Sequence, residues 1–120
     1  VAVISTVTAR FAPHTSLVVV DDGAALFCFY TSSRNNHVKV FKMNSNRTIT
    51  EPQEVGTPTP RSAIAAAYVP AHNNIIVFHA SLNVDANVVD LIAVTMARPG
   101  GAQAADTEVG WQVVRRTVMG

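Results

Sequence analysis

The chain has 120 residues, enough for one domain with a modest core. Apolar residues make up 48% and charged ones 14%, which excludes intrinsic disorder, since disorder needs little hydrophobicity and much charge. The formal net charge is +1 and no basic run exceeds Arg115-Arg116, so the dense cationic footprint that nucleic acid demands is missing.

Taken in chain order, the predicted elements are all strands. They are short runs of β-branched and aromatic residues bounded by Gly, Pro, Asn and Ser. Val3–Ala9 comes first, inside a leading segment 1–12. Leu17–Val20 and Ala25–Thr31 flank "DDG", which reads as a hairpin turn. His37–Met43 follows "SSRNN". Beyond "NSN" and "TPTP" comes Ile64–Val69, inside "SAIAAAY". Ala is the strongest helix former, so this stretch has a helical rival, but it is short and Pro70 closes it. It is read as a strand. Ile75–Ala80, Val88–Met96 and Gly110–Arg116 complete the series, separated by "PAHNN", "NVDAN" and "RPGG".

The series repeats. Ser16 answers to Ser62 at an offset of 46, and Phe29-Tyr30 to Phe78-His79 at 49. "NHVKVF" from Asn36 answers to "NVVDLI" from Asn87 at 51, and the two "EVG" triplets stand 54 apart. The offset grows at the loops, as it does when the second copy has longer hairpin tips. Two repeats are therefore expected, 16–61 and 62–116, each of four strands, within a single domain. Period and strand number fit the blade of a β-propeller; a β-sandwich of eight strands is the alternative. Two blades cannot close a ring, so the propeller reading implies a homo-oligomer, with a trimer of six blades the simplest closed form.

Several chemistries are disfavoured. Cys28 is the only cysteine, so no internal disulfide is possible, and within "LFCFY" it reads as a small buried hydrophobe. The four histidines, His14, His37, His72 and His79, lack the spacing of metal ligands. No apolar run approaches the ~20 residues that span a bilayer, and no basic-then-apolar leader or initiator Met is present. The chain is read as mature, trimmed or excised, with its compartment open. Asn46-Arg47-Thr48 fits the N-glycosylation pattern. No nucleophile elbow, phosphate-cradling glycine loop or His-Glu metal motif points to catalysis, and no cofactor is implied.

"RSAIAAAYVPAHNNIIVF", followed by "VVDLIAV" and "GW", resembles a blade of the fucose-binding lectins, six-bladed propellers of fungi and bacteria. Some bacterial members have two repeats and trimerise. The resemblance covers Ser16 to about Arg116 and implies a carbohydrate site made by an Arg, a Glu and a Trp. Trp111 matches the tryptophan position and Asp90 falls near the acidic one. Ile76 and Phe27 occupy the arginine position in the two repeats, and Lys39 and Thr57 stand where the first repeat would carry acid and Trp.

Sugars are held by stacking on an aromatic ring while planar polar groups bridge adjacent hydroxyls. Trp111, Asp90, His79 and Tyr30 are therefore the candidate ligand-binding residues, the last two as matching polar aromatics of the two repeats. The expected function is non-catalytic carbohydrate binding. The alternatives are a protein-interaction or self-assembly module without a sugar site, and a small β-sandwich enzyme or secreted effector.

Overall fold

The computed structural model describes residues 17–56, 63–98, 105 and 107–119. The predicted leading strand Val3–Ala9 lies outside them, as does Thr57. Within them the protein is all-β: β1 (Val18–Asp21), β2 (Leu26–Thr31), β3 (Val38–Met43), β4 (Gln53–Gly56), β5 (Ala65–Val69), β6 (Asn74–Asn83), β7 (Val88–Ala97) and β8 (Gln112–Met119). They form two four-stranded antiparallel meanders, β1-β2-β3-β4 and β5-β6-β7-β8, each in chain order. The Ala-rich stretch is strand β5, paired along its length with β6 from Ala65↔Phe78 to Val69↔Asn74. Sheet context overrides the helical preference of alanine there.

The predicted runs match seven of these strands to within a few residues. Strand β4 is the exception, because "EPQEVG" contains a proline and two acids and has no apolar alternation to announce it. The two "EVG" triplets are also not equivalent in space. The first lies in β4, whereas Glu108–Gly110 forms the turn into β8, with Gly110 at φ 82°. Positive φ suits glycine there because it has no Cβ to clash.

Period-two alternation gives each sheet an inner face. Val20, Phe27, Phe29, Val38, Val40 and Val55 of the first sheet meet Ile64, Ile75, Val77, Val94 and Met96 of the second, and Val109 and Trp111 seal one end. This single layer between the sheets is the core. Its aromatic members alone remove roughly 150–250 Å² each from water, or about 4–6 kcal/mol apiece in transfer terms.

The two sheets are stacked in the same sense. β1 lies against β5. Arg98, just past β7, stands 3.8 Å from the Asp22 carboxylate in the β1–β2 turn and donates to Asn73 Oδ1 in the β5–β6 turn at 3.1 Å. Both turns are therefore at one end of the molecule, and β1 and β5 run in the same direction.

A consequence follows for the repeat. Phe29 is packed into the inter-sheet core, while its counterpart Phe78 points to the opposite side of its own sheet, with Ala65, Ala80 and Leu91. Tyr30 lies on the outer face against Phe41, ring centroids 6.0 Å apart, while its counterpart His79 points inward at Gly56. Unlike faces of the two repeats meet in the core.

The outer face of the second sheet is consequently apolar. Leu82, Val89, Leu91 and Met119 are exposed large hydrophobics there. No helix among the described residues is long and apolar enough to cross a membrane.

Candidate functional site

The four sequence-derived residues occupy four different places. Tyr30 is buried on the outer face of the first sheet. Burial raises its phenol above the ordinary value, as does the charge of Cys28, whose thiol is itself pushed up by burial. His79 is buried between the sheets, where Nδ1 stands 3.1 Å from the Ala80 carbonyl and Nε2 has no partner. Asp90 lies near the β6–β7 hairpin tip and accepts from Asn83 Nδ2 at 3.3 Å. Seven residue steps along β7 take it to Ala97, which pairs with Gln112. At strand rise this is about 20 Å, so Asp90 and Trp111 share no site.

Trp111 is buried, with 1% of its surface exposed. Phe27 and Tyr68 meet it in T-shaped contacts, each with centroids 6.1 Å apart. The Arg98 guanidinium carbon sits 5.0 Å from the ring centroid, a cation–π arrangement. The indole is thus no open stacking platform. Its Nε1 is buried and without a hydrogen-bond partner.

Trp111 also lines a recess of about 60 Å³, with Asp22, Ala24, Ala25, Phe27, Lys42, Asn44, Ser45, Arg98 and Val109. The recess exists because the stacking brings the β1–β2 and β3–β4 turns of one sheet to the β5–β6 and β7–β8 ends of the other. The "DDG" sequence makes its turn by Asx capping. Asp21 Oδ1 accepts from the Gly23 amide at 2.8 Å, and Asp22 Oδ1 accepts from the Ala24 and Ala25 amides at 2.9 Å each. With Oδ1 occupied, the second oxygen of Asp22 faces Arg98.

Lys42 crosses from β3 and donates from Nζ to the Ala105 carbonyl at 3.0 Å. Gln53 Nε2 donates to the Trp111 carbonyl at 2.8 Å, fixing the backbone entering β8. A register shift between Thr95 and Met96 leaves Val114 unpaired between Val113 and Arg115, close to the same end; bulges of this kind commonly re-aim side chains beside functional sites.

Two of the residues lining the recess carry a buried donor without a partner. Arg98 Nε, like Trp111 Nε1, is buried with no partner. An unpaired buried polar group costs roughly 1–3 kcal/mol, and in a native fold such a group often marks a ligand or water position. A wider cleft of about 300 Å³ adjoins the recess and shares Ala24, Ala25, Asn44 and Ser45 with it. Asn46 of the glycosylation triplet is exposed at the same β3–β4 turn, where its Oδ1 accepts from the Thr48 amide at 3.1 Å and the Thr48 hydroxyl at 2.6 Å.

Of this constellation the sequence singled out Trp111 alone. Asp22 reads foremost as a turn residue, and Arg98 stands beside Pro99 in what reads as a loop. No group of three or more His, Cys, Asp and Glu side chains that could hold a metal gathers among the described residues. No protein-family model, curated protein or solved structure matches the chain.

Proposed function

We propose that this chain is a non-catalytic, lectin-like carbohydrate-binding protein, its site the recess and cleft at the turn end of the two sheets. The observation that carries the reading is that Arg98 and Trp111, two residues lining one recess, each hold a buried N–H donor without a partner. Sugars offer oxygen acceptors in quantity. An arginine over an indole beside a carboxylate is the chemistry that grips adjacent hydroxyls. The ring is placed in the wider adjoining cleft, with the recess beside it.

In this reading the two sheets are two blades of a propeller. The same-sense stacking supports it, because a ring is built by repeating one unlike-face contact. Further copies supply the remaining blades, three chains making the simplest closed form.

Trp111, the sole tryptophan, reports on the site directly. Its fluorescence is titrated with fucose, mannose, galactose and N-acetylglucosamine. A saturable change with one sugar, lost in Arg98→Met with folding retained, is expected. A flat response up to tens of millimolar, equivalent to binding weaker than about 2–3 kcal/mol, overturns the lectin. That outcome favours the second reading, a self-assembly module without a sugar site, which the exposed Leu82, Val89 and Leu91 independently support.

A further inference from the structure

We infer that the outer face of the second sheet is the seat for the outer face of another copy's first sheet. The inference rests on the assembly proposed above and names the two faces that make it.

The chain already holds one contact of this kind. The first sheet meets the second through the face that carries Phe29. The second answers through the face that carries His79, which points at Gly56. In the repeat, Phe78 is the counterpart of Phe29 and Tyr30 that of His79. Both counterparts are turned outward: Phe78 lies with Ala65, Ala80 and Leu91, and Tyr30 lies against Phe41. Each outer face is therefore the counterpart of an inner one. Laying another copy's first sheet on the second sheet repeats the contact that makes the core. Two second sheets laid together have no such precedent in the chain.

The surfaces agree. Val19 pairs with Cys28 and Cys28 with Phe41, in alternation with the inward Val20 and Phe27. That outer face leaves Val19 58% and Leu26 40% exposed. The other exposes Leu82, Val89, Leu91 and Met119, from 46% at Met119 to 63% at Val89. Large apolar side chains about half open leave on the order of 100 Å² each, so these two faces offer roughly 600 Å² of apolar surface. At the apolar share of about 60% usual in interfaces, this corresponds to about 1,000 Å² of buried surface, the size from which specific contacts begin.

The experiment blocks one face at a time. Val19→Glu charges the first face and Leu91→Glu the second, both at exposed positions. Light scattering is expected to show an assembled wild type and a single chain for either variant alone. Their equimolar mixture is expected to give two chains, because one intact face of each kind remains. Circular dichroism checks the strands, and Leu26→Glu or Leu82→Glu, on the same two faces, replaces a variant that unfolds. Cys28, the sole cysteine, lies on the first face and reports whether it is covered. Thiol reactivity follows access, so Cys28 is expected to react about tenfold faster in Leu91→Glu than in the wild type, although Leu91 is on the far side of the other sheet. A Val19→Glu protein that stays assembled, a mixture that stays at single chains, or equal thiol rates overturns the pairing of faces and leaves an assembly of another geometry. A wild type that runs as one chain from about 1 to about 500 μM, where an interface of this size is read, overturns pairing and assembly together. Neither result alters the sugar titration, which decides the binding site by itself.

Discussion

At the scale of single residues, Gly56 and His79 constrain each other across the two sheets. A Cβ added at Gly56 would stand 2.7 Å from His79 Nε2, and the imidazole is itself buried, so it has little room to withdraw. Gly56→Ala is expected to destabilise the fold by about 1–3 kcal/mol through overpacking. In the His79→Ala background the same change should cost far less. Urea unfolding of the four proteins in this cycle measures the coupling; equal costs in both backgrounds would remove the steric explanation.

The same pair shows what a sequence does and does not disclose at this scale. His79 is conspicuous as a polar aromatic that answers to Tyr30, yet nothing local tells that one faces in and the other out. Trp111 stands out by being single and following Gly110. Asp22, Lys42 and Arg98 do not, because their shared recess arises only when separate turns are stacked. Each looks locally like a turn acid, a strand lysine or a loop arginine.

At the scale of elements, the hairpins show how far turn chemistry reaches. Asn36, Asn73 and Asn87 adopt positive φ at 58°, 51° and 53°, conformations that asparagine tolerates, and their loops were legible from "SSRNN", "PAHNN" and "NVDAN". Arg47, at φ 68° in the β3–β4 turn, has no such excuse. Arg47→Gly is expected to stabilise the protein by up to about 1 kcal/mol, the relief of left-handed strain less the entropy glycine adds to the unfolded chain. Thermal melting should rise by a few degrees; an unchanged or lower midpoint would mean that the arginine side chain compensates its backbone.

Strand ends were less legible. β6 continues past Ala80 through the pairs Ser81↔Asp90, Leu82↔Val89 and Asn83↔Val88. The added residues are mostly polar, small or exposed, and their pairing comes from the partner strand, a non-local cause. β4 was hidden for a related reason: four residues at a sheet margin, needing only Val55 in the core.

At the scale of the whole molecule, the count and sense of the sheets decide more than any residue. The sequence disclosed the alternation of seven of the eight strands, since alternation is a one-dimensional pattern. It could not disclose which faces meet, because a sandwich and a propeller use the same alternation. Under the proposed assembly, Leu91 lies beneath a neighbouring copy. Leu91→Glu is therefore expected to reduce the mass in solution to one chain, read by light scattering, with the circular dichroism of the strands unchanged. A wild-type protein that already runs as a single chain would overturn the ring.

Under the proposed assembly the same-sense stacking has a kinetic corollary. A body whose two sticky sides are unlike behaves as a bivalent monomer in polymer chemistry: every addition regenerates both reactive ends, so pairing never exhausts them. Growth ends only by cyclisation, which is unimolecular, while elongation is second order in chains. Dilution then favours small rings and crowding favours open filaments, and the angle between the two sheets selects between them.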